Sequence, residues 1–159
     1  MAMLLDKLLP CVLIIISVSA YDCPCGWDRI YDTCYYFSDT KLTWADARAN
    51  CLERGGDLAV PANMWENNAI FQKLKSKLMG SAWLGVVRIW HLDFYTICGV
   101  EVSYTNWDKG EPNNLNSSEN CVEMLNPTQN KLALMTWNDQ DCNDVLHYVC
   151  EKHHPRCLV

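Results

Sequence analysis

The sequence predicts an α+β domain stapled by disulfides, with two helices early and a mainly antiparallel set of strands late. Three observations carry this: helical signals confined to residues 43–80, strand-like runs from residue 82 onward, and ten cysteines in 159 residues. Half of the residues are hydrophobic, enough at this length to bury one core but scarcely two.

Residues 21–37 carry Cys23, Cys25, Trp27, Cys34, Tyr35, Tyr36 and Phe37, a composition that predicts a small hairpin leading into a strand. Thr43 with Asp46 forms a capping-box pattern that opens the first helix. Trp44, Ala47 and Cys51 share its face at i, i+3 and i+7, and Gly55 and Gly56 stop it. Asp57 to Pro61 reads as a short strand. Asn63 to Leu78 reads as a second amphipathic helix with Ile70, Leu74 and Leu78 on its buried stripe, closed by Gly80. Strand-like runs follow at Ala82–Val87, Val100–Trp107, Cys121–Leu125, Leu132–Trp137 and His147–Cys150, separated by turn-rich polar stretches. Between the second and third of these lies WDKGEPNNLNSSEN, Trp107 to Asn120, an irregular segment of the length that usually has a function.

The first twenty residues combine Lys7, an apolar run from Leu8 to Val18, and small residues at Val18, Ser19 and Ala20. This is the pattern of a secretory signal cut after Ala20, and the run is shorter than the 20 or so apolar residues a membrane span needs. Residues 21–159 are then one domain with its core at about 23–151, in a secreted, extracellular protein. In that oxidising setting the cysteines read as a disulfide framework. Their number becomes odd once Cys11 leaves with the signal, which points to one sulfur that is free or joined to another molecule. A formal charge of −6 argues against nucleic acid, whose binders present a basic face.

The chemistry concentrates in two acidic clusters. One is Glu111, Pro112, Asn113 and Glu119 in the long segment, and the other is Asn138 and Asp139 after Trp137. Three carboxylates and two amides offer only oxygen, the donor set of calcium rather than of zinc. Asp139, Asp141 and Asn143 open like an EF-hand loop, but Asp144 and Cys150 stand where that motif needs Gly and Glu. There is no GxSxG, no HExxH and no nucleophile with a paired His, so an enzyme is not expected; His153 and His154 lie in the C-terminal tail.

In order along the chain, CPCGW from Cys23, CYYF from Cys34, the helix ending in Cys51, WLGV from Trp83, EPN at Glu111, ENCVEM from Glu119, WNDQDC from Trp137 and HYVCE from His147 resemble the C-type lectin-like domain family over nearly all of residues 23–151. The resemblance implies that Glu111, Asn113, Glu119, Asn138 and Asp139 bind one calcium ion and a sugar together, with Pro112 after a cis bond. EPN in this family accompanies the mannose, fucose and N-acetylglucosamine class, whereas QPD accompanies galactose. It further implies the disulfides Cys51–Cys150 and Cys121–Cys142, and Cys34 with one of Cys23 and Cys25, the first choice being Cys23–Cys34. Chain ends that lie close in this fold suggest Cys25–Cys157. Cys98 is then left as either a buried thiol or the link of a disulfide-bonded homodimer. A second calcium in the family needs an Asp after EPN and acidic residues in the preceding loop. Asn114 and Asn120 stand at the first positions, and VVRIWHLDFYT offers only Asp93, which speaks against that ion.

The resemblance therefore implies a lectin for microbial or cell-surface glycans, with a use in defence. The alternative is a sugar-independent domain that binds protein, matrix or mineral. Asn116 of Asn116-Ser117-Ser118 is an open glycosylation site set between two of the expected calcium ligands. Trp44, Trp83, Trp107 and Trp137 read as core rather than as sugar-stacking platforms.

Overall fold

A computed structural model of the chain describes residues 23–77, 79–89, 93–126 and 135–152. The stretch read as a signal, Leu78, the first half of the run Leu132–Trp137, the two tail histidines and Cys157 lie outside the described residues.

A hairpin of β1 (Asp28–Ile30) and β2 (Thr33–Phe37) opens the described chain. Helix α1, Trp44–Glu53, starts where Thr43, in extended backbone, accepts the Asp46 amide at 3.3 Å and donates its hydroxyl to the Asp46 carboxylate at 2.8 Å. It ends where the Gly56 amide returns to the Cys51 carbonyl at 3.0 Å, with Gly55 between them at φ +78°, a conformation that suits glycine. After the two-residue β3 (Asp57–Leu58), helix α2 runs over Met64–Ser76 with Asn63 as its N-cap. It buries Asn67, Ile70, Phe71 and Leu74. The expected stripe thus gains Asn67 and Phe71.

The later strands are β4 (Ala82–Ile89), β5 (Asp93–Thr96), β6 (Glu119–Met124), β7 (Trp137–Asp141) and β8 (His147–Lys152). They join the hairpin in one sheet of order β1-β2-β8-β4-β6-β7, with β3 attached to β8 and β5 to β4. Every pairing is antiparallel except β4 with β8. The expected strand Val100–Trp107 is not one. Its backbone is divided between two neighbours, bonding β5 at Val100 and Val102 and β7 at Asn106, so no continuous ladder forms. The partner that zips onto β4 is β5, where Phe94 and Thr96 alternate inward.

Two apolar clusters lie around the sheet. Ile70, Phe71 and Leu74 of α2 pack with Tyr35, Leu84, Val122 and Trp137, while Ala47 and Cys51 of α1 pack with Leu58, Trp83 and Tyr148. Gly85 of the WLGV run lets the strand approach β3: a Cβ there would stand 2.4 Å from the Leu58 carbonyl oxygen. Trp83 and Trp137 are fully buried, as expected of core, and Trp44 and Trp107 are half-buried. Asn67 holds Trp137, accepting its indole N–H at 2.7 Å and donating to the Met135 carbonyl at 2.8 Å. Asn67→Ala leaves that buried N–H without an acceptor and should cost about 1–3 kcal/mol, read as a lower urea midpoint at unchanged slope.

Disulfides Cys23–Cys34, Cys51–Cys150 and Cys121–Cys142 are formed. Cys25 and Cys98 are disulfide-bonded too, and no described cysteine is free. Of the two expectations for Cys98, the free thiol is corrected: its sulfur is disulfide-bonded. The suggested Cys25–Cys157 pair involves a residue outside the described ones.

Candidate functional site

The long loop is fastened at its base before it reaches the acidic residues. Trp107 bridges Trp137, the Asp108 amide donates to the Trp137 carbonyl at 2.8 Å, and the Trp137 amide donates to the Asn106 carbonyl at 2.8 Å. The chain then turns through Gly110, at φ +98°, and the cis Glu111–Pro112 bond. That route brings the Asn113 and Asn114 amides to the side chain of Asp139 on β7.

Asp139 is the anchor. Fully buried, it accepts the Asn113 amide on Oδ1 at 3.0 Å, and the Asn114 amide and the Arg88 guanidinium on Oδ2 at 2.9 and 2.6 Å. Glu119, also buried, accepts the Leu115 amide at 2.7 Å, and its own amide donates to Asn114 Oδ1 at 3.2 Å. Asn113 closes on Glu111, giving its side-chain nitrogen to Oε1 at 2.9 Å and its backbone N–H to Oε2 at 3.1 Å. Burial pushes the Glu111 carboxyl above its ordinary range and the Asp139 carboxylate beside it pushes the same way, against the hydrogen bonds from Asn113.

Four of the five expected ligands, Glu111, Asn113, Glu119 and Asp139, are thus joined through residues 113–115. Asn138 departs from the expectation. Neighbouring strand residues face opposite sides of a sheet, and its amide nitrogen donates to Glu123, its cross-strand partner, at 3.1 Å. Glu123 is buried, and that burial pushes its carboxyl upward. Asn116 is exposed, at φ 55° in the short 3-10 turn Leu115–Ser117.

Among the described residues, no three His, Cys, Asp or Glu side chains are grouped so as to hold a metal ion by themselves. The donor chemistry still fits a hard cation. Glu111 and Asp139 are like charges in contact, the Glu119 carboxylate is tied to the same loop through Leu115, and the side-chain amide of Asn113 offers one further oxygen.

Sequence reasoning missed Arg88 and gave Asn114 no part. A lone arginine closing the apolar run WLGVVR was the available signal, because a charge on a buried strand needs a carboxylate partner. A cavity of about 250 Å3 opens beside the site, with Arg88, Phe94, Glu101, Trp107 and Pro112 in its wall.

The family model for the lectin C-type domain matches residues 40–152. The chain belongs to the C-type lectin domain family. This lectin-type chain is 30% identical over 141 residues to human C-type lectin domain family 4 member G, covering 86% of itself and 45% of that relative; it thus spans about half the length of that protein. Among solved structures it is similar to the mouse scavenger receptor C-type lectin carbohydrate-recognition domain, with a TM-score of 0.74 at 27% identity, over 83% of this chain and 98% of that one. It is also similar to a calcium-independent type II antifreeze protein, with a TM-score of 0.71 at 27% identity, over 86% and 98% of the two chains. Both lie on the same C-type lectin fold, which settles the fold class expected from the sequence.

Proposed function

We propose that this C-type lectin domain is a secreted, calcium-dependent binder of mannose, fucose or N-acetylglucosamine on microbial or cell-surface glycans. The observation that carries the reading is the Glu111–Asn113 pair, set on either side of cis Pro112 and tied through the Asn113 amide to Asp139. Asn113 is exposed, so the pair faces solvent where a ligand can reach it. A bound calcium supplies a hard Lewis acid with open coordination positions for two vicinal hydroxyls. The carboxylate of Glu111 then accepts a hydroxyl proton and the amide of Asn113 donates to a hydroxyl oxygen. The cavity walled by Arg88, Glu101 and Pro112 leaves room beside the pair for the rest of a glycan. The carbohydrate-recognition domain that this chain resembles supports a sugar as the ligand. Binding, not turnover, is the role that this donor set suits.

On mannose-agarose the protein should be retained in calcium and released by EDTA. A chain that flows through in calcium, or that stays bound in EDTA, rules the reading out. Two observations favour a second reading: a guanidinium already occupies Asp139, and one structural relative is by its title a calcium-independent antifreeze protein. A sugar-independent domain would show no binding on a glycan array with or without calcium.

A further inference from the structure

The charge of Asp139 is neutralised by the chain itself. The two exposures, 10% for the Arg88 side chain and 0% for that of Asp139, make this a buried pair at 2.6 Å. Two further contacts fix the guanidinium: it donates from Nε to the Glu119 carbonyl at 3.3 Å, and it lies 4.4 Å from the centre of the Phe94 ring. Arg88 therefore bridges β7 and β6 from the end of β4. The loop in turn hangs on what Arg88 holds, through Asn113 and Asn114 on Asp139 and Leu115 on Glu119. Glu111 and Asp139 are like charges in contact that repel one another, and a loop that depended on a metal would open without it. Here one positive charge is covalently part of the strand beneath.

We propose that Arg88 is a positioning residue acting as a resident cation: through Asp139 and Glu119 it keeps residues 113–115 in place before any metal arrives. This deepens the calcium reading and rests on it for the role of the loop as a ligand platform. It also sets what remains for calcium to do. Glu111, Glu119 and Asp139 carry three negative charges against the one of Arg88, so a divalent ion meets a net charge of two, already ordered. Calcium then acts on ligand contact more than on loop folding.

The test is amide hydrogen exchange at Asn113, Asn114 and Leu115 in EDTA and in calcium, on the wild type, Arg88→Met and Arg88→Lys, with calcium uptake measured by calorimetry. In EDTA the wild-type amides should be protected, and calcium should change that protection little. Arg88→Met should lose it by at least about tenfold in EDTA, while amides of β2 and β8 keep theirs, and Arg88→Lys should hold most of it. Unchanged protection in Arg88→Met overturns the inference. So does protection lost alike in Arg88→Met and Arg88→Lys, which would mark packing rather than charge. Should Arg88→Met not fold, the wild type still decides: amides at 113–115 that exchange freely in EDTA and close only in calcium overturn it. A wild type that takes up no calcium yet keeps those amides protected upholds the inference and removes the calcium reading. Uptake of calcium with an open loop in EDTA does the reverse.

Discussion

Asp139→Ala should abolish calcium-dependent sugar retention and destabilise the domain by about 3–5 kcal/mol. The size follows from what is left behind. Removing the carboxylate leaves the Arg88 guanidinium in place, nearly enclosed and without its counter-charge, and strips the acceptor from the Asn113 and Asn114 amides. A buried ion pair contributes little when compared with a well-packed apolar pair, yet losing one half of it is costly. Asp139→Ala combined with Arg88→Met should therefore be more stable than Asp139→Ala alone, because no orphan charge remains. Urea denaturation of the two single variants, the double variant and the wild type checks this. Simple additivity of the two losses would show that the pair is not coupled.

Cys51→Ala should be comparably damaging to the whole domain while leaving the chemistry of the loop untouched. The bond to Cys150 closes a sequence separation of 99 residues, the longest of the disulfides Cys23–Cys34, Cys51–Cys150 and Cys121–Cys142. In a chain-entropy account a loop of that length restrains the unfolded state by about 4–5 kcal/mol. Cys121–Cys142 spans 21 residues and Cys23–Cys34 spans 11, so their removal should cost less, by roughly 1–2 kcal/mol on the same logarithmic scale. Thermal unfolding of Cys51→Ala, with Cys150 also replaced to prevent scrambling, should show the largest drop in Tm of the three pairs. A fall no greater than that for Cys23–Cys34 would contradict the ranking.

Much of the scaffold was legible because its signals are local. Thr43 with Asp46, Asn63 before Met64 and Gly55 after Arg54 each fix a helix end through bonds within a few residues. The site was legible as a set of oxygen donors, and the structure brings Glu111, Asn113, Glu119 and Asp139 into one hydrogen-bonded group. What periodicity could not show was partnership across the sheet. Val100–Trp107 alternates like a strand, but its neighbours are two different strands. Asn138 reads as one more ligand, yet the β6–β7 register sets it opposite Glu123. Arg88 closes an apolar run and so calls for a counter-charge, but only the fold shows that the partner is Asp139, 51 positions away in sequence.

The order of the sheet also bears on how this protein comes into being. β8 lies between β2 and β4, bonded to the first of these in antiparallel register and to the second in parallel. The strand synthesised last among those described is thus the one that joins the opening hairpin to everything else. While a ribosome is still adding residues 147–152, the two sides of the sheet have nothing to meet across, and Cys51 lacks its oxidation partner. Assembly must wait for nearly the whole domain to emerge, the slow regime expected of topologies rich in distant contacts.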